Sequence, residues 1–193
     1  MIPIAIYLAS QSPRRREILK NVGLDFKALT SGVDESFADG LPLTKLTTTL
    51  ALAKADDVAS RVAADDIVIG ADTIVVLDGN ILGKPRDESD AFAMLTLLSG
   101  NTHEVHTGLA VVRGEQRVTH LSVSRVTFKE LTSAQIERYI ATDEPYDKAG
   151  GYAAQGVASL FIERIDGDFF SVMGLPVAAL GDILARDFGY PVL

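Results

Sequence analysis

Residues 67–77 read IVIGADTIVVL and form the most apolar stretch of the chain. β-Branched and other apolar side chains dominate this stretch, which is typical of a strand at the centre of a sheet. Asp78 and Gly79 follow at once, and this dipeptide favours a two-residue hairpin turn. The stretch therefore predicts a central strand, with residues 80–82 pairing back onto it.

Helices and further strands alternate on both sides of the predicted central strand. Capping residues mark the helix starts, as where Ser12 precedes Pro13. The predicted helices are 13–22, 44–62, 87–98, 132–141 and a C-terminal helix from 176. The other predicted strands are 4–8, 26–30, two within 102–128 that turn at 114–115, and two around 166–167. Because several strand pairs are hairpins, the sequence predicts an α/β fold with a mixed central sheet flanked by helices.

The composition excludes several classes of protein. The chain has 193 residues, 47% hydrophobic and 23% charged, which fits a single domain over 1–193 with no internal linker. A net charge of −8 argues against a groove for nucleic acid polymers. The chain has no cysteine, which removes disulfides, thiolate zinc sites and cysteine nucleophiles. Neither a signal peptide nor a run of ~18 apolar residues is present, so we expect a soluble cytoplasmic protein with no membrane partner.

Asp72 breaks the apolar pattern of the central strand. A carboxylate inside such a strand costs several kcal/mol unless it is paired or bound to a metal. Gly70 lies two residues earlier and allows another backbone or a ligand to come close, which favours a functional site. The alternative is a strand break in which Asp72 caps a turn.

Lys54 breaks the apolar stripe of the predicted helix 44–62. It lies four residues after Leu50 and four before Val58, so it points along the same side as these residues. A lysine in such a position can extend its ammonium to solvent. The other interpretation is an ammonium directed into a cleft and held there by an anion.

The turn after the first strand leads directly into a helix. Free backbone N–H groups and the helix dipole favour a phosphate at the helix N-terminus that follows Ser10 and Ser12. Arg14 and Arg15 fall in the first turn of the helix, where cations oppose the dipole unless an anion binds between them. The alternative for these arginines, and for Lys84 farther along, is solvated surface charge.

Two other kinds of site find little support. His103 and His106 are three residues apart on a predicted strand, so they face opposite sides and cannot share a metal. We interpret both as structural. Ser10 has no histidine base placed by sequence, so a serine triad is unsupported.

At these unusual positions the sequence resembles the Maf family, and the matching motifs cover almost the whole chain in order. The motifs are LASQSPRR (8–15), VDE (33–35), AKA (53–55), GADTIV (70–75), GKPRD (83–87), LSGNTH (98–103), TG (107–108), DKAGGY (147–152), QG (155–156) and GLP (174–176). The resemblance implies an ITPase-like mixed α/β fold of two lobes with a deep cleft, usually a homodimer. It also implies hydrolysis of nucleoside triphosphates to the monophosphate and pyrophosphate with a divalent metal.

Three positions separate the subgroups of the family that this sequence resembles. One subgroup is similar to dTTP and UTP pyrophosphatases, and another acts on 7-methyl-GTP. The residues here are Arg14, Thr73 and Gln155, which resemble those of the dTTP/UTP subgroup. The other subgroup typically has tryptophan at the first position and glutamate at the last.

The resemblance and the residue chemistry together assign roles to the site. Asp72 is the expected catalytic carboxylate, a general base toward water that also touches the metal. Glu35 is the expected second metal ligand, with Mg²⁺ or Mn²⁺ as the cofactor. The residues expected to bind the nucleoside triphosphate are Ser10, Arg14, Arg15, Lys54, Thr73, Lys84 and Gln155.

Two alternatives to this assignment stay open. One is a nucleotide-binding regulator of cell division with little turnover, which the same binding residues would serve. The other is a pyrophosphatase that removes modified nucleotides.

Overall fold

A computed structural model describes residues 4–38 and 40–193, apart from the side chain of Phe37. Its strands are β1 (Ile6–Leu8), β2 (Lys27–Ala28), β3 (Ile67–Leu77), β4 (Asn80–Leu82), β5 (Thr102–Arg113), β6 (Gln116–Phe128) and β7 (Ile162–Asp166). Its α-helices are α1 (Pro13–Asn21), α2 (Leu43–Ala59), α3 (Glu88–Leu98), α4 (Ser133–Ile140), α5 (Phe169–Met173) and α6 (Val177–Phe188). Short 3₁₀ helices cover Glu35–Ala38, Ala149–Gly151 and Val157–Phe161.

The strands form one sheet in the order β2-β1-β3-β5-β6-β7, with β4 paired to β3. β1 runs parallel to β2 and to β3, whereas the β3–β4 and β6–β7 pairs are antiparallel. The hairpin between β3 and β4 turns at Asp78 and Gly79, with φ of 49° and 78°, as the turn type requires. The predicted mixed α/β fold is confirmed, and β3 lies inside the sheet as its apolar sequence indicates.

The described residues group into two compact units. The first unit comprises the described part of Met1–Asp72 together with Thr107–Ser122 and Gly174–Leu193. Its core contains many small side chains, which are Ala9, Ala51, Ala55, Val58, Val68, Ala110 and Val112. These small residues let α2 lie close to the sheet.

The second unit comprises Thr73–His106 and Val123–Met173. Its core is built from larger side chains, among them Phe128, Tyr139, Tyr152 and Phe161, whose rings meet edge to face. The predicted capping box is present at the start of α4, where Thr132 and Gln135 bond each other's backbone N–H groups. That a single domain with two lobes spans 1–193 stays a prediction.

One predicted strand is wrong. A second strand was expected after the Asp166–Gly167 turn, but α5 follows instead. The reason is Asp168, whose Oδ1 accepts a hydrogen bond of 2.8 Å from the backbone N–H of Phe170 and whose carbonyl accepts one of 3.2 Å from Val172. Such a local aspartate bond starts a helical turn at the expense of an extended strand. No helix in the described part of the chain is long and apolar enough to cross a membrane.

Candidate functional site

The first unit places a carboxylate and an ammonium in direct contact inside the fold. Lys54 of α2 donates a hydrogen bond of 2.7 Å from Nζ to Oδ1 of Asp72 in β3. The two side chains are only 14% and 12% exposed. β3 continues without a break through Asp72, so the turn-capping alternative is wrong. The ammonium of Lys54 does not extend to solvent, because an anion holds it within the fold.

Two glycines fix where Lys54 lies. A Cβ placed on Gly70 of β3 would come within 2.2 Å of the carbonyl oxygen of Ala51 in α2. A Cβ on Gly108 of β5 would come within 2.2 Å of the carbonyl carbon of Thr47. The close approach that Gly70 was expected to allow is therefore that of the α2 backbone. This packing holds α2 against β3 and so brings Lys54 within reach of Asp72.

Glu35 adds a second carboxylate to the same ammonium. It begins the 3₁₀ helix Glu35–Ala38, and its Oε1 lies 2.6 Å from Nζ of Lys54. Asp34 supports this turn, because its Oδ1 accepts a hydrogen bond of 3.0 Å from the backbone N–H of Ser36. That bond lowers the pKa of Asp34. Lys54 thus bridges two carboxylates that come from different segments of the unit.

The turn between β1 and α1 is organised around the hydroxyl of Ser10. Ser10 is buried, and its Oγ accepts 3.1 Å hydrogen bonds from the backbone N–H of Ser12 and from Nη1 of Arg15. A hydroxyl that accepts two bonds still has its own proton to donate. α1 begins at Pro13 as predicted, with Ser12 at the N-cap position. The turn can therefore offer a hydroxyl donor beside a helix N-terminus, which suits a phosphate oxygen.

Arg15 belongs to the interior of this turn. Its Nε donates a hydrogen bond of 2.7 Å to the carbonyl of Gly174, in addition to the bond that Nη1 makes with Ser10. Burial lowers the pKa of Arg15, and the negative charges of Asp72 and Glu35 oppose that effect. Sequence reasoning missed the bond to Gly174, because the two residues lie far apart in the chain. Arg14, one residue earlier, is half-buried in the first turn of α1.

Three of the predicted binding residues lie in the second unit. Thr73 directly follows Asp72 in β3 and is half-buried, whereas Lys84 and Gln155 are exposed. The segment around Lys84 packs on the glycine-rich loop 149–156, since the carbonyl of Gly83 accepts a 3.0 Å hydrogen bond from the N–H of Gly150. The first unit brings several of the predicted site residues together through hydrogen bonds, ion pairs and charge interactions. They are Ser10, Arg15, Glu35, Lys54 and Asp72.

The donor set in the first unit fits a divalent cation. Among residues 4–38 and 40–193, no three histidine, aspartate or glutamate side chains are grouped to hold a metal. Glu35 and Asp72, however, each direct one oxygen at the same point, the ammonium of Lys54. Mg²⁺ is usually held by one or two carboxylates together with phosphate oxygens and water. Two carboxylates that converge on one cation are the kind of donor set that Mg²⁺ takes when phosphate oxygens and water complete its coordination shell.

The two buried histidines have separate partners in the second unit. Nε2 of His103 lies 2.7 Å from the hydroxyl of Tyr152, and Nε2 of His106 lies 2.8 Å from Oε2 of Glu104. Burial lowers the pKa of His103 to about 4. The separate partners agree with the interpretation of both histidines as structural.

A family model and several curated relatives match nearly the whole of this chain. The family model described as Maf-like protein matches residues 5–187. The dTTP/UTP pyrophosphatase of Desulforamulus reducens is 51% identical over 97% of this chain and 98% of its own length. The dTTP/UTP pyrophosphatase of Alkaliphilus metalliredigens is 48% identical over 95% of this chain and 96% of its own. Among solved structures, a dITP/XTP pyrophosphatase of Mycobacterium abscessus is a distant likeness, with a TM-score of 0.41 and 14% identity over 65% of this chain and 73% of that one.

Proposed function

We propose that this chain, which belongs to the Maf family, hydrolyses dTTP and UTP to the monophosphate and pyrophosphate. The contact of Lys54 with both Asp72 and Glu35 is the observation that carries the proposal. It joins two carboxylates and an ammonium at one point of the first unit, which supports the proposed roles of a base, a second metal ligand and a phosphate-binding cation. The names of the two similar pyrophosphatases, each matched over nearly the full chain, support the choice of substrates.

Asp72 is the proposed general base. It takes a proton from a water molecule whose oxygen forms a bond to the α-phosphorus, while the bond from that phosphorus to the bridging oxygen breaks and pyrophosphate leaves. In the structure Lys54 is hydrogen-bonded to Asp72. A triphosphate carries several negative charges and competes for this ammonium, so its arrival frees a lone pair of Asp72 for the proton.

The other basic residues are proposed to neutralise the triphosphate as charge develops on the leaving pyrophosphate. Arg15 holds Ser10 in place, so that the serine hydroxyl donates to a phosphate oxygen. Arg14, Lys54 and Lys84 supply further positive charge. Thr73 and Gln155 are proposed to hydrogen-bond the pyrimidine edge, which would disfavour bases that leave these polar groups unpaired.

A divalent cation, Mg²⁺ or Mn²⁺, is the proposed cofactor, held by Glu35 and Asp72. When bound, it supplies charge stabilisation to the phosphate oxygens. We expect a chelator to abolish pyrophosphate release from dTTP and added Mg²⁺ or Mn²⁺ to restore it. Full turnover in excess chelator would contradict the metal assignment.

That the protein is a cytoplasmic homodimer also stays a prediction; light scattering tests its oligomeric state.

The role of Asp72 is tested by Asp72→Asn. We expect turnover of dTTP to fall by about 10²- to 10⁴-fold, the usual contribution of a general base, with dTTP binding retained in calorimetry. Asp65→Asn, at an exposed position before β3, is the matched control and should keep full activity. Substantial residual activity in Asp72→Asn would refute the assignment of the base.

A further inference from the structure

Glu144, in the loop after α4, gathers three hydrogen-bond donors on one carboxylate. Its Oε1 accepts from the hydroxyl of Tyr139 at 3.0 Å and from the backbone N–H of Ala158 at 3.2 Å. Its Oε2 accepts from the backbone N–H of Val157 at 2.9 Å. An ionised carboxylate accepts such bonds with both oxygens, and bonds to a charged acceptor are stronger than neutral ones. Glu144 therefore links α4, through Tyr139, to the segment that begins at Val157.

The two backbone donors open a helix. Val157 and Ala158 are the first residues of the 3₁₀ helix Val157–Phe161, and the first N–H groups of a helix have no partner within it. Glu144 supplies that partner from 13 residues earlier in the chain. The start of this helix is thus fixed by Glu144, because no side chain at the N-cap residue Gly156 can do so.

Gln155 lies two residues before Val157, the first residue that Glu144 anchors. The residue between them is Gly156, where a Cβ would come within 2.2 Å of Oε2 of Glu144. On the other side Ala153 and Ala154 are buried, and the N–H of Gly156 donates a 3.0 Å bond to the carbonyl of Ala153. Gln155 is therefore an exposed residue held between a buried segment and the anchor that Glu144 provides.

The carboxylate of Glu144 is itself held in place. Lys148 donates a hydrogen bond of 2.6 Å from Nζ to the backbone carbonyl of Glu144. Burial and the nearby charge of Glu144 raise the pKa of Tyr139, so its hydroxyl stays a donor to the carboxylate. Thr142 Oγ1 accepts a 3.3 Å bond from the backbone N–H of Glu144. The anchor is fixed at both its backbone and its side chain.

We propose that Glu144 is a positioning residue for Gln155 and, through it, a determinant of which nucleobase the protein selects. The inference rests on the proposed function, in which Gln155 hydrogen-bonds the base. Glu144 itself touches no substrate. Its carboxylate fixes the backbone on which Gln155 stands, and a hydrogen-bonding side chain discriminates only when its backbone is held.

The test is a double-variant cycle of Glu144→Gln and Gln155→Ala, read as the ratio of kcat/KM for dTTP to that for dGTP. A glutamine has one acceptor oxygen where three donors converge, so the anchor is weakened while the shape is kept. We expect Glu144→Gln to lower the ratio about tenfold, the equivalent of one lost hydrogen bond, mainly through KM for dTTP. Because Glu144 acts through Gln155, the double variant should show the same ratio as Gln155→Ala alone.

Two further variants separate positioning from general loss of structure. Gly156→Ala puts a Cβ against Oε2 of Glu144 and so displaces the carboxylate. It should lower the dTTP-to-dGTP ratio as Glu144→Gln does. Glu137→Gln, at an exposed position of α4, is the matched control and should leave the ratio unchanged. In Glu144→Gln the amide protons of Val157 and Ala158 should exchange faster with solvent, which is measured without any turnover.

Each outcome decides one of the two claims. An unchanged ratio in Glu144→Gln, or effects of Glu144→Gln and Gln155→Ala that simply multiply, would overturn the inference while the proposed function stands. If the unaltered protein cleaves no nucleotide, the proposed function fails. The same cycle is then read from dissociation constants for dTTP and dGTP, and an unchanged ratio there overturns the inference as well.

Discussion

We predict that His103 makes the stability of the protein depend on pH. It is 1% exposed, and its ring meets those of Phe128 and Tyr152 edge to face. Nε2 is bonded to the Tyr152 hydroxyl, whereas Nδ1 has no hydrogen-bond partner among the described residues. A protonated imidazole carries an N–H on both nitrogens, so protonation would bury a charge and an unmatched donor. Burial accordingly lowers the pKa of His103 from 6.5 to about 4.

The loss of stability follows from this pKa. Between pH 6.5 and 4 the unfolded chain binds a proton that the folded chain does not, so the free energy of unfolding falls as the pH falls. The contribution of His103 is complete above pH 6.5. About 2 kcal/mol of it is lost by pH 5 and about 3 kcal/mol below pH 4.

Chemical denaturation at pH 8 and pH 5 measures this loss in the unaltered protein and in His103→Phe. The variant leaves the Tyr152 hydroxyl without its ring partner and should be less stable at pH 8. It should nevertheless lose about 2 kcal/mol less than the unaltered protein on going to pH 5. His120→Gln, at an exposed histidine of β6, is the control and should keep the full loss. Equal losses in His103→Phe and the unaltered protein would refute the reasoning.

Two further substitutions test how Lys54 is placed and held. Gly70→Ala puts a Cβ within 2.2 Å of the Ala51 carbonyl oxygen, so α2 must shift. We expect the free energy of unfolding, measured by chemical denaturation, to fall by about 1–3 kcal/mol and dTTP turnover to be reduced. Unchanged stability would contradict the packing of α2 on β3. Lys54→Met leaves the buried Asp72 without its bonded cation and should cost about 3–5 kcal/mol. Lys45→Met, on the exposed side of α2, should cost little, and an equal cost in both lysine variants would show that the buried pair is not the cause.

The sequence predicts the central strand with both of its ends. Residues 67–77 carry their own signals, an apolar β-branched run closed by a dipeptide that favours a hairpin turn. The strand predicted after Gly167 is absent from the described residues, because this segment does not carry its own signals. There a single side-chain bond of Asp168 decides between a strand and α5, and a pattern of apolar residues does not show such a bond.

The site was partly predictable because its residues break local patterns. Asp72 in an apolar strand and Lys54 in an apolar stripe each indicated a compensating partner. That they are each other's partner depends on how closely α2 approaches β3 at Gly70, which is a property of the packed fold. Glu144 gave no signal, because a polar residue in a polar loop breaks no pattern.

Release of pyrophosphate from a panel of nucleoside triphosphates tests the central claim most directly. The panel contains dTTP, UTP, CTP, GTP, 7-methyl-GTP and modified pyrimidine nucleotides, each with Mg²⁺ or Mn²⁺. We expect strong turnover of dTTP and UTP, with the monophosphate and pyrophosphate as products. Binding of every nucleotide with cleavage of none would contradict the claim, remove the catalytic role from Asp72 and favour a nucleotide-binding regulator.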